Sequence, residues 1–327
     1  MVYVCSFESV TTGGVELLHQ LVFTLNQVGV DAKMVYVQNG YPIEIVDADV
    51  TERYREYNVE TEADLAMIDR EGNVVVVPEV MFDLFGQIKC AKKVAWWLSI
   101  NNYVSFVKKI YSFTDEDLQE LDNLDYYFFH ERDDVFHLVQ SHYAMHYLQK
   151  NLLIPKEYID YLSDYLNEEY LSEEGRLVEK RVNVVLYNPA KGKERTERLI
   201  SEMKDEICWI PLQDLSQKGM REHMRRAKVY IDFGNHPGKD RIPREAAISG
   251  CCVITGRQGA AAYEQDVPIP EKYKIDDLTD IDVPTVKALI LDIFENYEER
   301  TKDFDSYREM IRGEKEKFVM DVMRLFR

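Results

Sequence analysis

The segment from Val229 to Thr255 restricts the fold of this chain more than any other. Val229-Tyr230-Ile231-Asp232-Phe233 has the continuous apolar character of a buried strand, Gly234 to Arg241 is a charged, glycine-containing loop, and a short helix then leads to a second buried strand, Cys251 to Thr255. The pattern predicts a βαβ unit with its polar chemistry at one end. Pro243 suits the first helical position, where a missing N–H costs nothing, and Gly250 suits the left-handed residue that ends a helix. In open α/β sheets ligands bind at that polar edge. Lys239 and Arg241 stand next to a helix N-terminus whose free amides and dipole favour an anion, so a phosphate is the expected ligand.

The same alternation runs through the rest of the chain. Val2 to Ser6 reads as a strand, Glu8 to Gly14 as a polar loop ending in Gly13-Gly14, and Val15 to Val28 as a helix with an apolar stripe of Val15, Leu18, Val22 and Leu25 closed by Gly29. Further buried strands are expected at Ala32 to Val37, Val74 to Glu79 and Lys93 to Leu98, with less distinct ones at Tyr126 to Phe129 and Leu138 to Ser141. Helices are expected near Glu62 to Asp69, Met81 to Cys90 and Tyr143 to Lys150. Apolar runs alternating with helices indicate parallel sheets covered on both faces. An acidic, tyrosine-rich stretch from Pro155 to Lys180 carries Tyr158, Leu162, Tyr165 and Leu166 at helical spacing and reads as a connecting helix. Val182 to Tyr187 restarts the alternation, and helices over Pro284 to Tyr297 and Tyr307 to Phe326 close the chain.

Length supports that division, since 327 residues suit two domains of about 150 residues each. The expected organisation is an N-terminal domain over 1–175, a C-terminal domain over 176–300, and a helix over 301–327 that packs back on the first domain. A net charge of −19 argues against nonspecific nucleic-acid binding and against adhesion to an anionic membrane, because both need a positive surface. The basic run Met220 to Lys228 reads as the solvated face of a helix. Five cysteines without metal-ligand spacing, mostly in apolar runs, read as reduced and buried, and the absence of a basic, apolar leader points to the cytoplasm. No run is long and apolar enough to span a membrane, which leaves peripheral association open.

Two loops of the second half invite phosphate. Asn188-Pro189-Ala190-Lys191-Gly192-Lys193 follows a strand and precedes a helix, so Lys193 supplies a mobile charge at a helix entrance. Both this loop and Gly234 to Arg241 would emerge at the carboxyl ends of their strands, and two basic loops on one edge suggest a diphosphate, as in a nucleotide sugar. Glu245 falls in the first turn of its helix; it reads either as a capping carboxylate or as an acceptor for a ribose diol.

Glu245-Ala246-Ala247-Ile248-Ser249-Gly250-Cys251-Cys252-Val253-Ile254 resembles the Glu-Ala-hydrophobic-x-x-Gly-x-Pro-Val-Ile segment of GT-B glycosyltransferases, including the bacterial surface-polysaccharide transferases. The resemblance implies two Rossmann-like, doubly wound α/β domains facing a central cleft, with Glu245 on the donor ribose. It further implies that Lys193 contacts donor phosphate and that Gly13-Gly14 matches the glycine loop of the N-terminal domain. Two departures stand out. Pro237 occupies the register where retaining members carry an earlier Glu, and Cys252 replaces the usual Pro, so stereochemistry does not carry over.

The expected function is therefore metal-independent transfer of a sugar, of the hexosyl type, from a nucleotide-diphosphate donor to a saccharide or related acceptor, without a cofactor. Gly14, Asn188, Lys193, Gly238, Lys239, Arg241 and Glu245 are the expected donor contacts. Glu8 is the candidate base of the first domain, Asp240 the candidate to replace the missing Glu, and His236 the histidine closest to the donor. His130, His142 and His146 are weaker alternatives; His142 and His146 share a helical face but lack a third metal ligand nearby in sequence. Asp47-Ala48-Asp49 has the Asp-x-Asp pattern of metal-dependent transferases but falls away from the phosphate loops. An epimerase-like enzyme and a noncatalytic nucleotide- or glycan-binding module are the alternative readings.

Overall fold

The apolar runs become strands because both faces of each are covered, leaving no polar side to alternate with. In a computed structural model that describes residues 1–40, 42–111, 134–172, 180–277 and 281–327, they assemble into two parallel sheets. The first contains β1 (Val2–Phe7), β2 (Ala32–Val37), β3 (Val74–Pro78), β4 (Lys92–Trp97), β5 (Val135–Val139) and β6 (Ile159–Tyr161), in the order β2-β1-β3-β4-β5-β6. The second contains β7 (Val182–Tyr187), β8 (Cys208–Pro211), β9 (Ala227–Asp232) and β10 (Cys252–Thr255), in the order β10-β9-β7-β8. In each sheet the chain leaves its first strand to one side and returns on the other. The reversal falls between β1 and β3 in one sheet and between β7 and β9 in the other.

Two compact units result. Met1–Asp164 with Glu316–Arg327 forms one and Tyr165–Lys315 the other. Residue 175 lies outside the described residues, and the division falls between Asp164 and Tyr165. The last helix, Asp305–Phe326, runs through the second division, so the chain returns at Glu316 and not at 301. Within the first unit Arg324 Nη2 lies 3.0 Å from Asp160 Oδ1 and Lys317 lies 5.2 Å from the centre of the Tyr161 ring.

Several expectations change. Pro155 to Lys180 is not one helix: among the described residues of that stretch Lys156–Tyr158 is a 3-10 turn, Ile159–Tyr161 joins the first sheet beside β5, and only Glu168–Leu171 is α-helical. Leu162, Tyr165 and Leu166 are buried all the same, so their spacing marked burial and not helix. Met81 to Cys90 forms 3-10 turns over Glu79–Gly86, kinked at Met81. The short β8 and the helix Ile100–Tyr111 carried too little pattern to be expected. Tyr126 to Phe129 and His130 lie outside the described residues. All five cysteines are free, but Cys90 and Cys208 are exposed, contrary to the reading of them as buried.

Candidate active site at the second sheet

Each reversal of strand order leaves a crevice at the carboxyl ends of two strands, with the following loops on either side. At the first, β1 leads into the Glu8 loop and β3 leads into Glu79. The Glu8 amide donates to the Val37 carbonyl at 2.9 Å, which fixes the loop's exit. Thr12 caps the helix Gly13–Gln27, its hydroxyl accepting from Val15 N at 3.3 Å. Gly14 sits in that first turn, where a Cβ would meet only Leu98 Cδ1 at 3.7 Å. Glu79 is buried, and its Oε2 accepts from Leu98 N at 2.9 Å. Burial pushes its carboxyl up to about 7, against the opposing pull of backbone amides of Leu98, Glu79 and Ser99. Sequence reasoning passed over Glu79; the only signal was a carboxylate closing an otherwise apolar strand.

At the second crevice the loops after β7 and β9 press backbone against backbone. A Cβ on Gly192 would lie 2.5 Å from the Phe233 carbonyl, and one on Gly234 would lie 2.7 Å from Gly192 N; φ is +54° and +88° at the two positions. Only glycine meets both demands. The loop after β10 joins them: Gly256 N donates to Asp232 O at 3.2 Å and Ala260 N to His236 O at 2.8 Å. Asp277, fully buried, gathers the loops further, accepting from Gly234 N at 2.8 Å, Arg257 N at 3.0 Å and Gln258 Nε2 at 3.0 Å.

This meeting point encloses a cluster of paired charges. Lys191 Nζ lies 3.1 Å from Asp232 Oδ1 and 2.5 Å from Asp240 Oδ2, while His236 Nδ1 lies 3.1 Å from the same Asp240 oxygen. Tyr230, two residues before Asp232 on the same strand face, donates its hydroxyl to Asp232 Oδ2 at 2.8 Å. Burial opposes the Lys191 charge, but the Asp232 and Asp240 carboxylates outweigh it and hold the ammonium above its ordinary value. Burial likewise opposes the Asp240 charge, and His236 and Lys191 outweigh it, holding that carboxyl below its ordinary range. Asp232, His236 and Asp240 have the composition of a metal centre, with ligating atoms within 4.8 Å of one another. Lys191 already places a cation against its carboxylates. Asp47 and Asp49 are exposed in the first unit and take no part.

The expected donor residues divide into two groups. Lys193 opens the helix Lys193–Met203 with a side chain 71% exposed, 3.8 Å from Glu197. Asn188 folds its own loop, Oδ1 accepting from Ala190 N at 3.0 Å. Asp240 and His236 stand together in the cluster, and Gly238 is buried beside them. Lys239 is placed differently from expectation, since its ammonium is buried 2.7 Å from Glu314, which also holds Arg244 at 2.8 Å. The helix begins at Arg241, two residues before Pro243, so Pro243 is its third residue. Arg241 Nη2 donates to the Tyr165 carbonyl at 3.3 Å. Glu245 falls in the second turn of the helix Arg241–Ile248 and not, as expected, in the first; after burial, its charge helps to push the Tyr170 phenol above its ordinary value. Lys191 and Tyr170 were not singled out in the sequence. The first lay one loop position from Lys193, and the second was hidden in the tyrosine-rich connector.

The chain is similar over nearly its whole length to solved glycosyltransferases. Sucrose-phosphate synthase from Thermosynechococcus elongatus aligns over 99% of this chain and 98% of its own at 12% identity and a TM-score of 0.62. WaaG, a glycosyltransferase involved in lipopolysaccharide biosynthesis, aligns over 98% and 99% at 14% identity and a TM-score of 0.58. An α,α-trehalose-phosphate synthase from Burkholderia xenovorans aligns over 99% and 100% at 10% identity and a TM-score of 0.55. The fold is that of the GT-B glycosyltransferases. No family model and no curated protein sequence matches the chain. No helix among the described residues is long and apolar enough to cross a membrane.

Proposed function

We propose that this chain is a nucleotide-sugar-dependent glycosyltransferase of the hexosyl type that works without a metal and acts on a saccharide or related acceptor. Supporting the reading, the loop after β7, which ends at Lys193, meets at Gly192 and Gly234 the loop after β9, which leads into the helix that carries Glu245. Lys193 and the first amides of the helix Arg241–Ile248 take the diphosphate, with Arg241 beside them. Glu245 takes the ribose, and Asp240 with His236 faces the sugar. Lys239 has a different part: paired with Glu314, it anchors the loop that presents these groups. In transfer, the acceptor oxygen bonds to the anomeric carbon as the bond to the diphosphate breaks, and the departing charge is met by Lys193 and the helix amides. The acceptor proton goes to a base, for which Glu8 is the candidate of the first unit.

A binding module without turnover is the second reading, and a specific observation favours it. Two lysines of the loops, Lys191 and Lys239, already face carboxylates, which leaves less positive charge for a leaving diphosphate. A thermal-shift screen against nucleoside diphosphates and their sugars tests both readings, since a ligand at a hundredfold its Kd adds about 2.7 kcal/mol. No shift with any nucleotide overturns both. Binding with transfer that Glu245→Ala or Lys193→Ala abolishes supports the enzyme. Binding without turnover across an acceptor panel supports the module, and consumption of a nucleotide sugar with no acceptor present supports an epimerase.

A further inference from the structure

We propose that Asp232, His236 and Asp240 form a divalent-cation site in which the Lys191 ammonium stands in the ion's place, so that removing the ammonium lets an ion of the zinc or cobalt type bind. The site concerns the cluster itself and holds whether or not a nucleotide binds beside it. The ligating atoms of the three residues lie within 4.8 Å of one another. His236 Nδ1 and Asp240 Oδ2 are 3.1 Å apart, close to the roughly 3.4 Å that separates two ligands of a tetrahedral ion at about 2.1 Å. The ammonium lies against both carboxylates, 3.1 Å from Asp232 Oδ1 and 2.5 Å from Asp240 Oδ2. Asp232 is 1% exposed, and its Oδ1 receives no hydrogen bond among the described residues, which leaves that oxygen to a cation.

The outer contacts are those a metal site needs, since partners behind the ligands fix their orientation. Tyr230 takes the other Asp232 oxygen, its hydroxyl donating to Oδ2 at 2.8 Å. His236 Nε2 lies 3.3 Å from the Asp232 carbonyl; the tautomer protonated on Nε2 donates there and turns the Nδ1 lone pair toward the Asp240 carboxylate. Two lone-pair donors facing each other call for a cation. With a neutral imidazole, one ammonium against two carboxylates leaves one negative charge of the cluster uncompensated, which a divalent ion would cancel. The ligands also keep their places without Lys191. Gly234 N donates to Asp277 at 2.8 Å, Ala260 N to His236 O at 2.8 Å and Arg244 Nε to Asp240 O at 3.2 Å. Lys191 arrives from the other loop, after β7, so its side chain can be shortened while the ligand loop stays held.

The test is titration of the full chain, of Lys191→Ala and of Lys191→Ala with Asp240→Ala, using Co2+, Zn2+ and Mg2+ at one neutral pH. Lys191→Ala is expected to take up one equivalent of Co2+ with a visible ligand-field band, and to regain resistance to urea as it does. Zn2+ should displace the band and Mg2+ should not, because an imidazole ligand selects ions of the zinc type. The wild-type protein should bind Co2+ at this place at least roughly a hundredfold more weakly, since the ion must displace a buried ion pair. The double variant should lose the band. Equal Co2+ spectra from the three proteins overturn the inference, as does a wild-type protein that binds Co2+ as tightly as Lys191→Ala. A Lys191→Ala protein that gains no stability from Co2+ or Zn2+, including one that stays unfolded with either ion present, overturns it as well.

Discussion

The two crevices share a topology and differ in how they are held. At the first, one carboxylic acid, Glu79, is buried against backbone amides, and the glycine loop beside it has room to spare. At the second, the loops touch main chain to main chain and enclose a lysine, two aspartates and a histidine. Identical strand order therefore fixes where a site forms and says little about its chemistry. Burial pushes the buried carboxyl of the first crevice toward its neutral form, whereas the second crevice keeps its charges by pairing them.

The sharpest way to break this contrast is a matched pair of glycine substitutions. Gly192→Ala should cost roughly 4 kcal/mol, combining a left-handed φ with a clash against the Phe233 carbonyl. Gly14→Ala should change stability by no more than about 1 kcal/mol, because its Cβ would find ordinary contact distance. Equal costs in urea denaturation would show that the loops are not built differently. Lys191→Met comes next, leaving two carboxylates without their shared cation at a buried position; a loss of about 3 kcal/mol at pH 7 is expected, shrinking as the pH falls toward the carboxyl range. Comparison of unfolding at pH 7 and pH 4 checks it, and a constant loss would refute it.

Glu79 gives the opposite sign. The unfolded carboxyl releases its proton near 4.5 and the folded one near 7, so the folded state binds more protons between these values. Its contribution is fully present below pH 4.5 and declines by about 3 kcal/mol as the pH rises to 7. Glu79→Gln should flatten that part of the stability profile; an unaltered slope would remove Glu79 as its source. The smallest effect belongs to Lys193→Ala. An exposed pair with Glu197 supports only about 0.3–0.5 kcal/mol, so stability should hardly move while nucleotide binding, measured on the same samples, weakens.

The βα alternation was legible because burial on both faces writes long apolar runs, and Val229 to Thr255 forms the βαβ unit its sequence implies, with a helix that starts two residues before Pro243. The connector was misread for a related reason: Leu162 and Leu166 report burial, and burial four residues apart arises in an irregular path as readily as in a helix. Site residues were legible by chain position and not by partner. Nothing near Lys239 in sequence announces Glu314, and nothing near Glu245 announces Tyr170, because both partners arrive from distant helices. Lys191 and Lys193 are two residues apart in one loop, yet the first turns to Asp232 and Asp240 and the second to solvent.

Asp277 has a mechanical consequence. Through one side chain it ties the backbone after β9 to the backbone after β10, so those loops form a single stiff piece and cannot flex separately. Whatever steadies the stretch around Gly234 also steadies the stretch around Arg257, and slower amide exchange should reach both together.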